Sequence, residues 1–160
     1  MTDMPIPPHA FSAMLRTLVD SLGQQDFDTT ASRGFEFESD GHVVRCFPHP
    51  SDESRFVMEC DITTLDADQM EDPALMKLLH HINEAAWLEC GWTAMLDAQG
   101  LCFIGRSVAL VDATPQHLQE LIVDSIERAG ALGQIIDSHG RGLPTGSDQQ
   151  TDLRMFSHRA

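Results

Sequence analysis

A β-hairpin predicted over residues 95–110, MLDAQGLCFIGRSVAL, constrains the fold most strongly because its second strand is apolar on both faces. Successive side chains of a strand point to opposite faces of the sheet. The alternation places Leu101, Phe103 and Ala109 on one face and Cys102, Ile104, Val108 and Leu110 on the other. In a two-layer domain with an antiparallel sheet, one face lies in water and is usually polar. Both faces of this hairpin should therefore be covered.

The cover on the second face has two explanations. Each apolar side chain left in water forgoes roughly 1.5–3 kcal/mol of burial energy. The simplest cover is a second copy of the chain, packed across a two-fold axis. The alternative is that helices of the same chain cover both faces. We favour the dimer, because three helices are predicted and they should lie on one side of the sheet.

The other periodicities predict the elements around this hairpin. Apolar residues at helical spacing indicate a first helix from His9 to Gly23. Strands over GFEFES, HVVRCF and RFVMECDIT follow, and Asp40-Gly41 is a turn signal between the first two. Asp72-Pro73 opens a second helix that runs to about Leu88, and Thr114-Pro115 opens a third. The order α-β-β-β-α-β-β-α predicts an α+β fold, a two-layer domain with helices packed on an antiparallel sheet.

The length of 160 residues fits a single domain with flanking segments. We expect a flexible leader over residues 1–8, the domain over 9–137, and a disordered tail over 138–160, which is rich in turn formers and polar residues. The N-terminal residues include an acid where a signal peptide has bases, and no long apolar run follows. We therefore expect the protein in the cytoplasm.

The charge balance restricts the class of partner. The chain has 25 acidic and 10 basic residues, for a formal net charge of −15. Such a surface repels phosphate backbones and anionic lipids, so we expect neither nucleic acid nor a membrane as partner. It favours a basic or an uncharged partner.

The residues that could carry chemistry form no firm constellation. The four cysteines (Cys46, Cys60, Cys90 and Cys102) lie far apart and predict free, mostly buried thiols. His80 and Glu84 have the i,i+4 spacing of a metal pair, but no third ligand has suitable spacing. No GxxxxGK[ST] phosphate loop occurs. We therefore expect no catalytic residues, metal or cofactor, and no enzyme. The alternative is a small metal-dependent or thiol enzyme that uses His80, Glu84 and Cys90.

The acidic segment DADQMED, residues 66–72, invites comparison with a calcium loop. It lacks the glycine and the final glutamate that shape an EF-hand loop. We interpret it as a solvated acidic loop before the second helix. On that helix, Met76, Asn83 and Trp87 form a shoulder beside the main apolar face and are a plausible contact for a partner subunit.

Three segments in this order resemble the class I type III secretion chaperones, the Tir-chaperone family. They are the first helix ahead of three strands, the segment LLHHINEAAWLECGWTAMLDAQGLCFIGRSVAL, and the closing helix ATPQHLQELIVDSIERA. The resemblance covers about residues 9–137. It implies a small acidic homodimer in the bacterial cytoplasm that binds a secreted effector without ATP. The N-terminal region of the effector would wrap around the dimer in extended form, by strand addition and by apolar side chains that enter hydrophobic patches.

The same resemblance assigns residues to the two kinds of contact. The first four candidates for the effector patch would help wall it on the first helix: Phe11, Leu15, Leu18 and Leu22. Four strand residues would belong either to the patch or to the core, which alternation alone does not decide: Phe35, Phe37, Val44 and Phe56. Five positions would form the dimer interface: Met76, Trp87, Trp92, Ile104 and Val108. An adaptor for proteins outside secretion, built on the same fold, is a further alternative.

Overall fold

The computed structural model describes residues 9–23 and 34–140, with the backbone alone for residues 86–90. The helices are α1 (His9–Ser21), α2 (Ala67–Met70), α3 (Pro73–Cys90) and α4 (Pro115–Gly140), and the strands are β1 (Phe35–Ser39), β2 (His42–Pro48), β3 (Arg55–Thr64), β4 (Thr93–Leu96) and β5 (Leu101–Ala109). A 3-10 turn over Leu110–Asp112 joins β5 to α4. The predicted α+β fold is confirmed, with the short helix α2 and the 3-10 turn as additions.

The five strands form one antiparallel sheet in the order β1-β2-β3-β5-β4. The hairpin between β1 and β2 turns at Asp40 and Gly41, whose φ angles of 51° and 78° are those of a type I′ turn. The β3–β5 ladder runs from Arg55 opposite Ala109 to Thr64 opposite Leu101. The sheet therefore has β1 and β4 as its two edges.

Side-chain caps explain where the helices begin. Asp72 accepts a hydrogen bond from the Ala74 backbone N–H at 2.8 Å, and Pro73 occupies the first turn of α3. The last turn of α4 returns to this cap, since His139 Nε2 lies 3.0 Å from Asp72 Oδ2. The backbone N–H of Ala74 and the nearby His139 hold the pKa of Asp72 below its ordinary value.

The acidic segment before α3 is partly helical, contrary to its interpretation as a loop. Asp66 accepts a hydrogen bond from the Gln69 backbone N–H at 2.9 Å, and the Asp66 N–H donates to the Gln69 side chain at 3.0 Å. This reciprocal pair is a capping box, and it forms α2.

Helix α4 packs on β2, β3 and β5, α3 lies beside β4, and α1 packs against α4, so the apolar faces of the three helices join one core on one side of the sheet. On β3, Phe56, Met58 and Cys60 are fully buried, whereas the residues between them are half-buried and point to the other face. The strands β2 and β5 contribute to the same core with Val44, Cys46, Cys102, Ile104 and Val108. We call the opposite side of the sheet, which points away from these helices, the open face.

The ends of the described chain bear on the predicted boundaries. Helix α4 runs to Gly140, beyond the Asp137 at which we placed the end of the domain. The predicted leader over residues 1–8 and residues 141–160 of the predicted tail lie outside the described residues. Among the described helices, none is long and apolar enough to cross a membrane.

Candidate binding surfaces

An apolar patch lies on the open face, on the strands β4 and β5. It consists of Met95, Leu101 and Phe103, where Met95 is 36% exposed and the other two are half-buried. These three side chains lie outside the core cluster beneath the helices. The hairpin therefore has one face in the core, as predicted, while the helices that the structure describes do not cover its other face.

Gly105 shapes this patch. Gly105 pairs with Thr93. It lies two residues after Phe103 on β5, at the next position on the same face, and Phe103 pairs with Met95. The methyl group of Met95 occupies the space that a Cβ at position 105 would need. Only glycine therefore allows Met95 to lie across the strand and continue the patch.

The half of the open face formed by β1, β2 and β3 is acidic. Its carboxylates belong to Glu36, Glu38, Glu59 and Asp61, and Arg45 lies among them. Arg45 donates to both oxygens of Asp61 and, at 2.8 Å, to Glu36 Oε2. These hydrogen bonds, led by those to Asp61, raise the pKa of Arg45 above its ordinary value. We call this half the acidic half.

Glu59 has a different environment, although it lies directly opposite Arg45 in the register. It is half-buried beside Gly105, and Arg45 directs its guanidinium to the two neighbouring acids instead. Burial therefore raises the pKa of Glu59 above its ordinary value. The charge of Arg45 opposes this shift of the Glu59 pKa but is outweighed by burial.

Asn83 closes the outer edge of β4. Its side-chain amide donates to the Ala94 carbonyl oxygen at 2.8 Å and accepts from the Ala94 N–H at 2.6 Å. Ala94 therefore forms a non-hydrogen-bonded pair with Ile104 on β5. The N–H and C=O of Ala94 point away from β5 and toward Asn83. Asn83 was predicted as a plausible contact for a partner subunit, which stays a prediction; within its own chain, both of its polar groups bind the edge strand.

The outer edge of β1 is open among the described residues. The two-residue turn makes Ser39 and His42 a hydrogen-bonded pair, so Glu36 and Glu38 occupy the non-bonded positions. The N–H and C=O groups of these two residues therefore point away from β2. Such a row of backbone groups is a template for another strand.

Trp92 anchors the start of β4 in the core. It is 1% exposed, and its indole N–H donates to Asp124 Oδ2 on α4 at 2.7 Å. Asp124 also accepts from Arg128 at 2.8 Å, and the Arg106 guanidinium lies 6.0 Å from the Trp92 ring centroid. Arg106, Asp124 and Arg128 line an open cleft between α4 and Gly91, beside the buried Trp92.

The residues proposed for the effector patch mostly lie in the core of the single chain. Phe11, Leu15, Leu18, Val44 and Phe56 are 0% exposed and Phe35 is 6% exposed. Leu22 and Phe37 are only partly buried, and both pack against the core. Alternation left patch and core open for the strand residues, and burial now shows that Phe37 is the accessible one of the four.

The residues proposed for the dimer interface divide in the same way. Trp92, Ile104 and Val108 are at most 5% exposed within one chain, so almost none of their surface is left for a partner to cover. Met76 is partly buried beside the core, and the Trp87 side chain lies outside the described residues. The interface role of these five residues stays a prediction. The accessible apolar residues of the hairpin are instead those of the apolar patch, which were not among the five.

The candidate catalytic groups that the structure describes have ordinary local contacts. His80 and His81 lie 3.4 Å and 3.3 Å from the Glu84 carboxylate on an exposed face of α3. No group of three possible metal ligands occurs among the described residues. Burial raises the pKa of Cys46 to about 12 and those of Cys60 and Cys102 to about 11, so these thiols are protonated at neutral pH. The side chain of Cys90 lies outside the described residues.

Solved structures share this architecture at low sequence identity. A chain of the ExsC-ExsE complex matches with a TM-score of 0.63 and 15% identity, over 86% of this chain and 98% of that one. The Yersinia pestis type III secretion chaperone SycH, solved in complex with a stable fragment of YscM2, matches with a TM-score of 0.56 and 17% identity, over 74% and 96% of the two chains. The chain has the fold of type III secretion chaperones.

A chain of the HopA1-SchA chaperone-effector complex has the same chaperone fold, with a TM-score of 0.61 and 13% identity over 77% of this chain and 95% of that one. No family model matches the sequence, and no curated protein matches it. The chaperone fold is therefore visible in the strand order and helix packing, at a sequence identity where pairwise comparison finds no relative.

Proposed function

We propose that this protein is an ATP-independent type III secretion chaperone that binds the N-terminal region of a secreted effector and keeps it soluble and competent for secretion. The observation that carries the proposal is the chaperone fold in which the described residues leave one strand edge and one sheet face open. A protein that holds a client needs accessible apolar and backbone groups, whereas an enzyme needs convergent reactive groups. The described residues supply the first set.

A second copy of the chain covers the apolar patch. Met95, Leu101 and Phe103 are contiguous on the open face, no described part of the chain buries them fully, and a second chain that covered them would gain burial energy. A two-fold axis over the β4–β5 ribbon brings the patch of one protomer onto the same patch of its partner. Met76 and Trp87, on the helix next to β4, are proposed to extend this interface.

The effector docks on the remaining surface. The edge of β4 is closed by Asn83, so strand addition uses the edge of β1. Leu22 and Phe37, the accessible members of the predicted effector patch, contact apolar side chains of the effector. The other six residues of that set support these two from the core.

The site requires no cofactor, metal or nucleotide, and the protein acts in the bacterial cytoplasm before the effector reaches the secretion machinery. Its acidic surface keeps the complex soluble and repels nucleic acid and anionic membranes. The proposal excludes the enzyme alternative built on His80, Glu84 and Cys90.

Affinity purification from the native cell, followed by mass spectrometry, tests the proposal. We expect a client that leaves the cell through a type III system, a chaperone mass of twice 17.7 kDa in the complex, and binding that survives removal of ATP. The N-terminal segment of the client alone should bind, and the client without it should not. A bound protein that is never secreted would favour the adaptor. Bound metal, together with an activity lost in Cys90→Ser or Glu84→Gln, would favour the enzyme.

A further inference from the structure

The edge of β1 has a charge pattern that selects the chemistry of an added strand. The groups that point outward belong to Glu36 and Glu38, whose exposed carboxylates lie on the open face. Between them, Phe37 points to the opposite face, where it is partly buried and its ring centroid lies 5.6 Å from that of Phe35. The edge therefore alternates acidic and aromatic side chains on its two faces.

An added strand places its side chains directly opposite those of β1. Residues opposite each other on one face have Cβ atoms about 4.5–5.5 Å apart, close enough for opposite charges to attract. The residues opposite Glu36 and Glu38 thus meet carboxylates, and the residue opposite Phe37 meets an aromatic ring beside the core. This holds for either direction of the added strand, because the alternation of faces is the same in both.

The surroundings reinforce the preference for positive charge. Glu36 is paired with Arg45, but Arg45 also bonds Asp61, and no described cation lies within ion-pair distance of Glu38. The acidic half therefore keeps an excess of negative charge next to the open edge, on a chain whose net charge is −15. The carboxylates of the acidic half repel one another. A basic residue of the added strand, placed opposite Glu36 or Glu38, would reduce this repulsion.

A second copy of the chain does not fit this edge. If two β1 strands paired antiparallel around Phe37, Glu36 of one chain would lie opposite Glu38 of the other. Like charges directly opposite each other destabilise a sheet. The carboxylates therefore oppose self-pairing at the same edge that accepts a client.

We infer that the β1 edge binds a client segment in which basic residues alternate with apolar ones, the basic residues facing Glu36 and Glu38 and the apolar residue between them facing Phe37. The inference rests on the proposed function and adds to it the chemistry of the segment that docks by strand addition. It makes the β1 edge a determinant of which effectors the chaperone accepts.

Peptide titration followed by protein NMR tests the inference on the full chain. Three seven-residue peptides alternate valine with lysine, with serine or with glutamate, and a fourth has the composition of the lysine peptide with its lysines in one block. The readouts are the dissociation constant and the amide shifts of residues 36–39. We expect the lysine peptide to shift these amides and to bind about threefold to tenfold more tightly than the serine peptide, with the glutamate peptide weakest.

Matched variants separate the edge from the general acidity of the chain. The double variant Glu36→Gln/Glu38→Gln should remove the preference for lysine over serine. The double variant Glu53→Gln/Glu71→Gln, which removes two exposed charges elsewhere, should retain it. The block peptide should not shift the amides of residues 36–39, even if it binds acidic residues elsewhere on the protein.

Three results overturn the inference, and the first two separate it from the proposed function. If the lysine and serine peptides bind the β1 edge equally well, the charge preference is wrong while strand addition stands. If no peptide shifts the amides of residues 36–39 and the intact effector still binds, both the inference and docking at β1 are wrong. Wild-type preference in Glu36→Gln/Glu38→Gln also overturns the inference.

Discussion

Asn83 replaces the neighbouring strand that β4 lacks. Its amide offers one donor and one acceptor in the same geometry as a backbone pair, and it binds both polar groups of Ala94. A helix residue can do this because α3 lies beside the edge of the sheet and Asn83 points at it. A partly buried N–H and C=O are thereby satisfied without a further strand.

The first prediction concerns this asparagine. Asn83→Ala leaves the Ala94 N–H and C=O without their side-chain partner, and we expect a loss of about 1–2 kcal/mol in the free energy of unfolding. Urea denaturation at constant m-value measures it. Asn83→Asp keeps the acceptor for the Ala94 N–H but places a carboxylate oxygen against the Ala94 carbonyl oxygen, so its loss should be at least as large as that of Asn83→Ala. Stability equal to the wild type in Asn83→Ala would show that the contact has no structural role.

The second prediction concerns the half-buried Glu59. Because burial raises its pKa in the folded state, the native protein binds this proton more strongly than the unfolded chain does. The stability contribution is therefore highest below the unfolded pKa of about 4.5 and decreases as pH rises through the raised folded pKa.

Glu59→Gln should thus be more stable than the wild type at pH 7, by less than about 1 kcal/mol because half of the side chain remains in water. The difference should disappear at a pH well below 4.5, as thermal unfolding across pH would show. Glu53→Gln, the same change at an exposed position, should leave stability unaltered at both pH values. A destabilised Glu59→Gln at pH 7 would mean that the carboxylate has a favourable partner.

At the scale of elements, the β4–β5 ribbon separates two tasks by alternation. Cys102, Ile104 and Val108 hold the helices, and Leu101 and Phe103 present the apolar patch. A substitution on one face should therefore affect folding and one on the other face should affect assembly. On β5, even-numbered residues lie on the side of the helices and odd-numbered residues lie on the open face, so the position of a substitution decides which property changes.

The third prediction uses this separation. Phe103→Glu puts a charge on the patch, where it remains in water in the monomer and would be buried without a partner in the dimer. We expect a folded chain of 17.7 kDa instead of twice that mass, with an unchanged circular dichroism spectrum, by sedimentation at micromolar concentration. Val123→Glu adds the same charge at a position of α4 that is 55% exposed and should remain dimeric.

Ile104→Asp is the contrasting change. Ile104 is 2% exposed, so the charge would enter the core, and we expect loss of folding rather than a folded monomer. A Phe103→Glu protein that sediments as the wild type would remove the patch from the dimer interface.

At the scale of the whole molecule, local signals predicted the elements. The Asp40-Gly41 turn, the Asp72-Pro73 helix start and the two-faced strand β5 all depend on neighbouring residues, and the structure places them as predicted. The helix α2 has a local signal too, since Asp66 and Gln69 have capping-box spacing, but the acidic composition of the segment obscured it.

What the sequence did not decide depends on contacts between distant residues. Alternation separates the two faces of β5, but it does not say which face meets the helices; the packing of α4, α3 and α1 does. For the same reason, most residues assigned to the effector patch lie in the core, and Asn83 could not be matched to Ala94 without the docked position of α3. Accessible surface is a property of the assembled fold.

The closure of β4 by a side chain bears on how many strands the sheet can add. A sheet with two open edges can recruit strands at both sides and continue to grow, as in a fibre. Among the described residues, Asn83 satisfies the outer edge of β4, so the edge of β1 is the one left for an added strand. If the proposed client docks there, we expect one added strand for each chain.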